Sequence, residues 1–188
     1  MLVSAGLFVL VVFALGVFFY TQPSGSGASG LAQDKRAALI RPHSQVFGDA
    51  GAKVTIVEFL DPACETCSQF YPLVKRLVNT SSGRIKVVIR YAPFHPGSDE
   101  VVKILEAARM QNLFWPVLEA MLKSQSAWVI QHRAQAALVW DQIATTGLDV
   151  GKARADMNHP GIAQIVAQDM TDAKTLEVAQ TPEYFVNG

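Results

Sequence analysis

The chain has 188 residues, 50% of them hydrophobic, and its 16 basic and 16 acidic side chains cancel. That supplies one ordinary domain with a sizeable core and no need of disulfide staples. No basic stripe interleaved with aromatics is present, which speaks against a nucleic-acid partner, and there is no long acidic or basic tail.

The first segment differs in kind from the rest. Leu2 to Tyr20 carries no charge and is rich in Leu, Val and Phe. As a helix it would span ~28 Å, close to the ~30 Å hydrocarbon core of a bilayer. It ends in Phe18-Phe19-Tyr20, which suits an interfacial aromatic belt better than a signal-peptide cleavage site. Residues 1–20 are therefore read as a transmembrane anchor, with a cleaved signal peptide as the alternative. Lys35, Arg36 and Arg41 follow well after the span, and the positive-inside rule would place them in the cytoplasm. That conflicts with the thiol chemistry argued below, which takes precedence here. Residues 21–41 read as a linker. Gln22 to Gly30 is a tether of small residues with a reach of roughly 17 Å, and Leu31 to Ile40 has the makings of a short helix.

The folded domain is expected from near Pro42, with Phe47-Gly48-Asp49 as a turn. Val54 to Leu60 reads as a buried strand. Asp61 is the candidate N-cap of the helix that follows, with Pro62 at its first position. Phe70, Leu73, Val74, Leu77 and Val78 recur at helical spacing on one face, and Pro72, inside that pattern, is expected to kink the helix. Arg84 to Tyr91 reads as a second strand, so the strand-helix-strand unit implies parallel pairing. From Ser98 to Thr175 the pattern is helical. Val101, Ile104, Leu105 and Ala108 form one stripe; Phe114, Val117, Leu118, Met121 and Leu122 form another. Ala127 to Thr146 reads as a third helix closed by Gly147. A last helix runs from a break at Met157–Pro160 to about Lys174. Tyr184 to Val186 is a short strand, and Asn187-Gly188 is a hairpin turn signal without a return strand. The sequence thus reads as a C-terminally truncated version of a longer chain.

The chemistry concentrates at Cys64-Glu65-Thr66-Cys67, between the strand and the helix. A helix N-terminus favours the thiolate of its first cysteine, and this spacing brings both sulfurs within one turn. Thiol–disulfide exchange is the reading that follows. The alternatives are a metal-binding chaperone that holds copper through the dithiol, a zinc site completed by histidines, a structural disulfide, and a redox-inert scaffold. His95, between Pro93 and Pro96, reads as a loop residue near the active site.

From about Val54 to Gly188 the chain resembles the DsbA-like branch of the thioredoxin superfamily. The resemblance rests on the strand-Cys64-x-x-Cys67-helix unit with Pro72 and on the helical insertion, about residues 98–175. Gln111, Phe114 and Trp115 within the insertion, and Thr181-Pro182-Glu183-Tyr184-Phe185-Val186-Asn187-Gly188, complete it. It implies an α/β thioredoxin fold with a helical insertion over residues 42–188, lacking the family's C-terminal strand and helix. It implies Cys64 as nucleophile, Cys67 as resolving thiol, a cis Pro182 against the disulfide, and Thr181 backbone pairing with substrate. Glu58 falls where the family often has a buried carboxylate that relays the Cys67 proton. Glu65 stands in the dipeptide where strongly oxidising members carry histidine. Its charge is expected to raise the Cys64 pKa and make the pair less oxidising. No cofactor is implied. The implied partners are exported proteins bearing thiols or disulfides and a membrane redox partner. The location is the bacterial inner membrane, with a monomeric catalytic domain on the periplasmic side.

Overall fold

In a computed structural model of the chain, residues 33–188 are described; the candidate membrane span and tether lie outside them. The folded unit runs from Lys35 to Gly188. It starts ahead of Pro42 because residues 35–39 are helical and bury Ala38 and Leu39 against the sheet.

Four strands form the main sheet: β1 (Gln45–Gly48), β2 (Val54–Leu60), β3 (Ile85–Tyr91) and β6 (Glu183–Val186), in the order β1-β3-β2-β6. The central pair β2–β3 is parallel, as the strand-helix-strand reading requires, with Val54 opposite Ile85 and Leu60 opposite Tyr91. Both edge strands run antiparallel to their neighbours. The first edge differs from the sequence reading. Phe47 and Gly48 belong to β1 and are not a turn; the turn comes after, where Asp49 accepts from the backbone of Gly51 and Ala52. Gly48 is required there, at φ +108° and with the Ile85 carbonyl 2.8 Å from where a Cβ would stand.

Strand alternation separates two cores. On one face Ile56, Leu60, Val87, Ile89 and Tyr91 meet α1 (Glu65–Thr80) and the helical insertion. On the other, Val57, Phe59 and Val88 meet Ala38, Leu39, Ala173, Leu176 and Val178. This second face also buries Arg90 completely. Its guanidinium reaches Asp169 at 2.7 Å and Asp172 at 2.6 Å and donates to the Ala38 carbonyl. Arg41 makes a two-pronged contact with Asp172, and His43 meets Asp169 at 2.6 Å. A buried charge needs such partners to stay charged. The network ties the N-terminal segment to the last helix.

The insertion comprises α2 (Ser98–Arg109), α3 (Phe114–Lys123), α4 (Ala136–Ile143), α5 (Val150–Asp156) and α6 (Pro160–Thr175). The stripes on α2 and α3 are buried as expected. The expected helix over Ala127–Thr146 is broken. A two-stranded hairpin, β4 (Val129–Ile130) and β5 (Arg133–Ala134), occupies its first part. Gln131 and His132 turn it with positive φ angles, and the Ala134 N–H goes to the Pro96 carbonyl instead of a helical partner. On α1 the predicted apolar face is only half right. Val74 and Val78 pack on the core, whereas Phe70, Leu73 and Leu77 are exposed. The inward row is Cys67, Tyr71, Val74 and Val78, at i, i+4, i+7 and i+11. Among the described residues no helix is long and apolar enough to cross a membrane.

Candidate active site

β2 delivers the chain into the turn that starts α1, and Cys64 is the N-cap of that helix. Asp61, expected in that role, lies further back and does something else. It is fully buried, and its carboxylate gathers the Ala63 N–H at 2.9 Å, the His95 N–H at 2.8 Å, His95 Nδ1 at 2.7 Å and the Ser98 hydroxyl. Its carbonyl accepts from the Cys64 N–H at 3.0 Å. Asp61 therefore moulds the active-site turn and clamps it to the loop before α2. Proline at 62 is compatible with a capping pattern, which is why the sequence pointed to the wrong cap.

The opposite wall comes from the insertion. Buried Gln125 donates to the carbonyls of Pro62 at 2.7 Å and Cys64 at 3.0 Å, and Ser68 donates to the Leu122 carbonyl at 2.8 Å. Gln125 left no trace in the sequence, where it is one polar residue between two helical stretches. The third wall is the Thr181–Pro182 loop, whose peptide bond is cis. Cys64 Sγ lies 3.1 Å from the Thr181 carbonyl oxygen. The structure thus brings together Cys64, Cys67, Thr181 and Pro182 from segments more than a hundred residues apart.

Both cysteines are free thiols here. Cys64 is 6% exposed and Cys67 fully buried. The Cys64 pKa is lowered to about 5, chiefly by the hydrogen bond from the Cys67 thiol. Burial opposes this; the Thr181 side chain and the backbone of Cys67 and Thr66 at the helix start assist it. The same pairing, with burial, pushes the Cys67 thiol far up. The two thiols are thus pushed in opposite directions, Cys64 toward the thiolate and Cys67 toward keeping its proton. Glu65 does not act as anticipated. Its carboxylate meets His132 at 3.1 Å, and it is not among the groups that set the Cys64 ionisation. His95 is drawn toward its charged form: burial opposes this, but its hydrogen bond to Asp61 and the negative charges of Asp61, Cys64 and Glu65 prevail.

Glu58 is fully buried beneath the turn. Burial raises its pKa to about 7, moderated by a hydrogen bond from Tyr184 and reinforced by the negative charge of Cys64. Among the described residues no group of three or more His, Cys, Asp or Glu side chains is arranged to hold a metal ion.

A reactive thiolate, a protonated partner one turn on, a buried carboxyl below and a cis-proline loop above are the parts of a dithiol exchange centre. The sequence matches the Thioredoxin family over residues 41–188, and the chain belongs to that family. Its structure is similar to that of a thioredoxin-like oxidoreductase from Silicibacter pomeroyi DSS-3, with a TM-score of 0.71 at 28% identity over 81% of this chain and 85% of that one. The fold is DsbA-like, as the resemblance implied. α-DsbA1 of Wolbachia pipientis superposes with a TM-score of 0.69 at 19% identity, over 81% of this chain and 79% of that one. BdbD of Bacillus subtilis does so with 0.66 at 22% identity, over 77% and 81%. Among curated proteins, the Na(+)/H(+) antiporter NhaA of Herminiimonas arsenicoxydans is 30% identical over 143 residues, 76% of this chain. The chain spans only 22% of that relative's length.

Proposed function

We propose that this protein is a thiol–disulfide oxidoreductase whose Cys64 thiolate exchanges with disulfides of exported proteins. The observation that carries the reading is the placement of two free thiols at the start of α1, Cys64 as its N-cap and Cys67 fully buried within the first turn, against the cis Thr181–Pro182 loop. The opposed shifts of the two thiols, Cys64 down and Cys67 up, support it. Cys64 attacks a substrate disulfide and forms a mixed disulfide, releasing one substrate thiolate. Cys67 then attacks the Cys64 sulfur, closes the internal disulfide and releases the second substrate sulfur. Run backwards, the same steps oxidise a substrate dithiol. The Thr181 carbonyl, beside the Cys64 sulfur, is placed to accept a backbone N–H from an extended substrate. A Cys64 pKa of about 5 lies between the ~7 of thioredoxin and the ~3.5 of DsbA. That supports a potential between the ~−270 mV and ~−120 mV of those proteins, less oxidising than histidine-containing relatives.

The apolar segment Leu2–Tyr20 supports a membrane tether and a membrane redox partner, with the domain on the oxidising side. The test uses the full chain with Cys67→Ser, which lacks the resolving thiol. Non-reducing gels of the expressing cells should show mixed disulfides with exported proteins, absent in Cys64→Ser. Failure to trap any, together with tight copper(I) binding that protects both thiols, would favour a metallochaperone.

A further inference from the structure

Tyr184 stands opposite Glu58 in the β2–β6 register, so both side chains share one face of the sheet. Its hydroxyl donates to Glu58 Oε1 at 3.3 Å. The other carboxylate oxygen, Oε2, is buried and has no hydrogen-bond partner among the described residues. Glu58 is fully buried, whereas Tyr184 is only partly so. Among the described residues the phenol is thus the one hydrogen-bond partner of the buried carboxyl.

The other titratable groups whose charges reach Glu58 are Cys64 and Cys67 from the active-site turn and Tyr71 from α1. None of these is a cation. On β3 its neighbour in register is Ile89, and Arg90 points to the opposite face. Ionised Glu58 therefore receives one favourable polar contact, and Tyr184 makes it.

We infer that Tyr184 is a positioning residue for proton transfer at Cys67: its hydroxyl holds Oε1 and leaves Oε2 free to take the proton. The inference rests on the oxidoreductase reading. As the mixed disulfide resolves, the Cys67 thiol gives its proton to Glu58. The electron pair left on the Cys67 sulfur forms the bond to Cys64, the bond from Cys64 to the substrate sulfur breaks, and that sulfur leaves as a thiolate. Glu58 then gives the proton up to solvent. In the oxidising direction the proton travels the same route backwards.

The test is stopped-flow reaction of the reduced protein with 5,5′-dithiobis(2-nitrobenzoate) between pH 5 and 9. A first release of nitrothiobenzoate reports attack by Cys64, and a second reports resolution by Cys67. The second phase should speed up with a midpoint near the Glu58 pKa of about 7 and lose that dependence in Glu58→Gln. Tyr184→Phe removes a contact that favours the carboxylate, so its midpoint should rise by roughly half a unit, slowing resolution about threefold at pH 6 with the first phase unchanged. 3-Fluorotyrosine at 184, a stronger donor, should move the midpoint down. If both variants keep the wild-type midpoint, the positioning role is overturned. If the first phase is missing in the wild type, the oxidoreductase reading itself fails.

Discussion

Cys64 Sγ lies 3.1 Å from the carbonyl oxygen of Thr181, a residue 117 positions later in the chain. The contact fixes where the nucleophile sits relative to the loop that would receive substrate. Its ionisation, however, is set first by Cys67. Cys67→Ala removes that donor and should raise the Cys64 pKa by roughly a unit. Cys67→Ser keeps a donor and should raise it less. Iodoacetamide alkylation against pH reads this directly: the wild-type rate should level off above about pH 6 and fall with a midpoint near 5.

Asp61 carries four donors in a fully buried carboxylate. Asp61→Ala strands them and should cost about 3–5 kcal/mol in urea unfolding. His95 offers a pH signature of the same pair. Its folded pKa is raised, so its contribution is fully present below the unfolded value of ~6.5 and is lost as pH rises through the folded one. The stability gap between wild type and His95→Asn should therefore shrink at alkaline pH. A gap that widens would contradict the pairing.

Glu58 has the opposite consequence for stability. Its pKa is raised from the usual carboxyl range to about 7, so the folded state holds a proton that the unfolded state has lost. Stability should fall as pH rises from ~4.5 to ~7. Glu58→Gln should be more stable than wild type at pH 8, by about 2–3 kcal/mol, and the difference should vanish near pH 4. Thermal unfolding of the pair across that range checks it. The variant should also resolve mixed disulfides slowly, which would explain why an unfavourable carboxyl is kept.

Arg90 stands under the other face of the sheet. Arg90→Met leaves Asp169 and Asp172 without their buried cation. Chemical denaturation should show a loss of about 3 kcal/mol or more, with the alkylation rate of Cys64 little changed. A large change in that rate would mean that the network also shapes the site.

Much of this was legible in the residues. The parallel β2–β3 pair follows from two apolar runs joined by a helical stretch. The dithiol stands out as the chain's two cysteines, three apart, and the Thr181–Pro182 loop was legible through the family resemblance. What escaped depended on side chains meeting across the fold. Asp61 looks like a helix cap when only its neighbours are read, yet its donors come from residues 95 and 98 as well. Gln125 is silent in sequence because its partners are backbone carbonyls. The stretch Ala127–Thr146 has helical composition, but Trp128 is buried and its indole donates to the Met121 carbonyl at 3.0 Å. That anchor, with the turn at Gln131–His132, overrides propensity. Glu65 was read against Cys64 alone; its partner His132 comes from the hairpin turn in the insertion, which adjacency in sequence does not reveal.

The central claim is that Cys64 and Cys67 form a reversible redox pair tuned by their shared hydrogen bond. The most direct test is the equilibrium of the purified protein with glutathione buffers, read by tryptophan fluorescence and thiol alkylation. A single two-electron transition near ~−200 mV, between the reducing and oxidising extremes of the fold, is the expected result. No reversible transition across the glutathione range would contradict it.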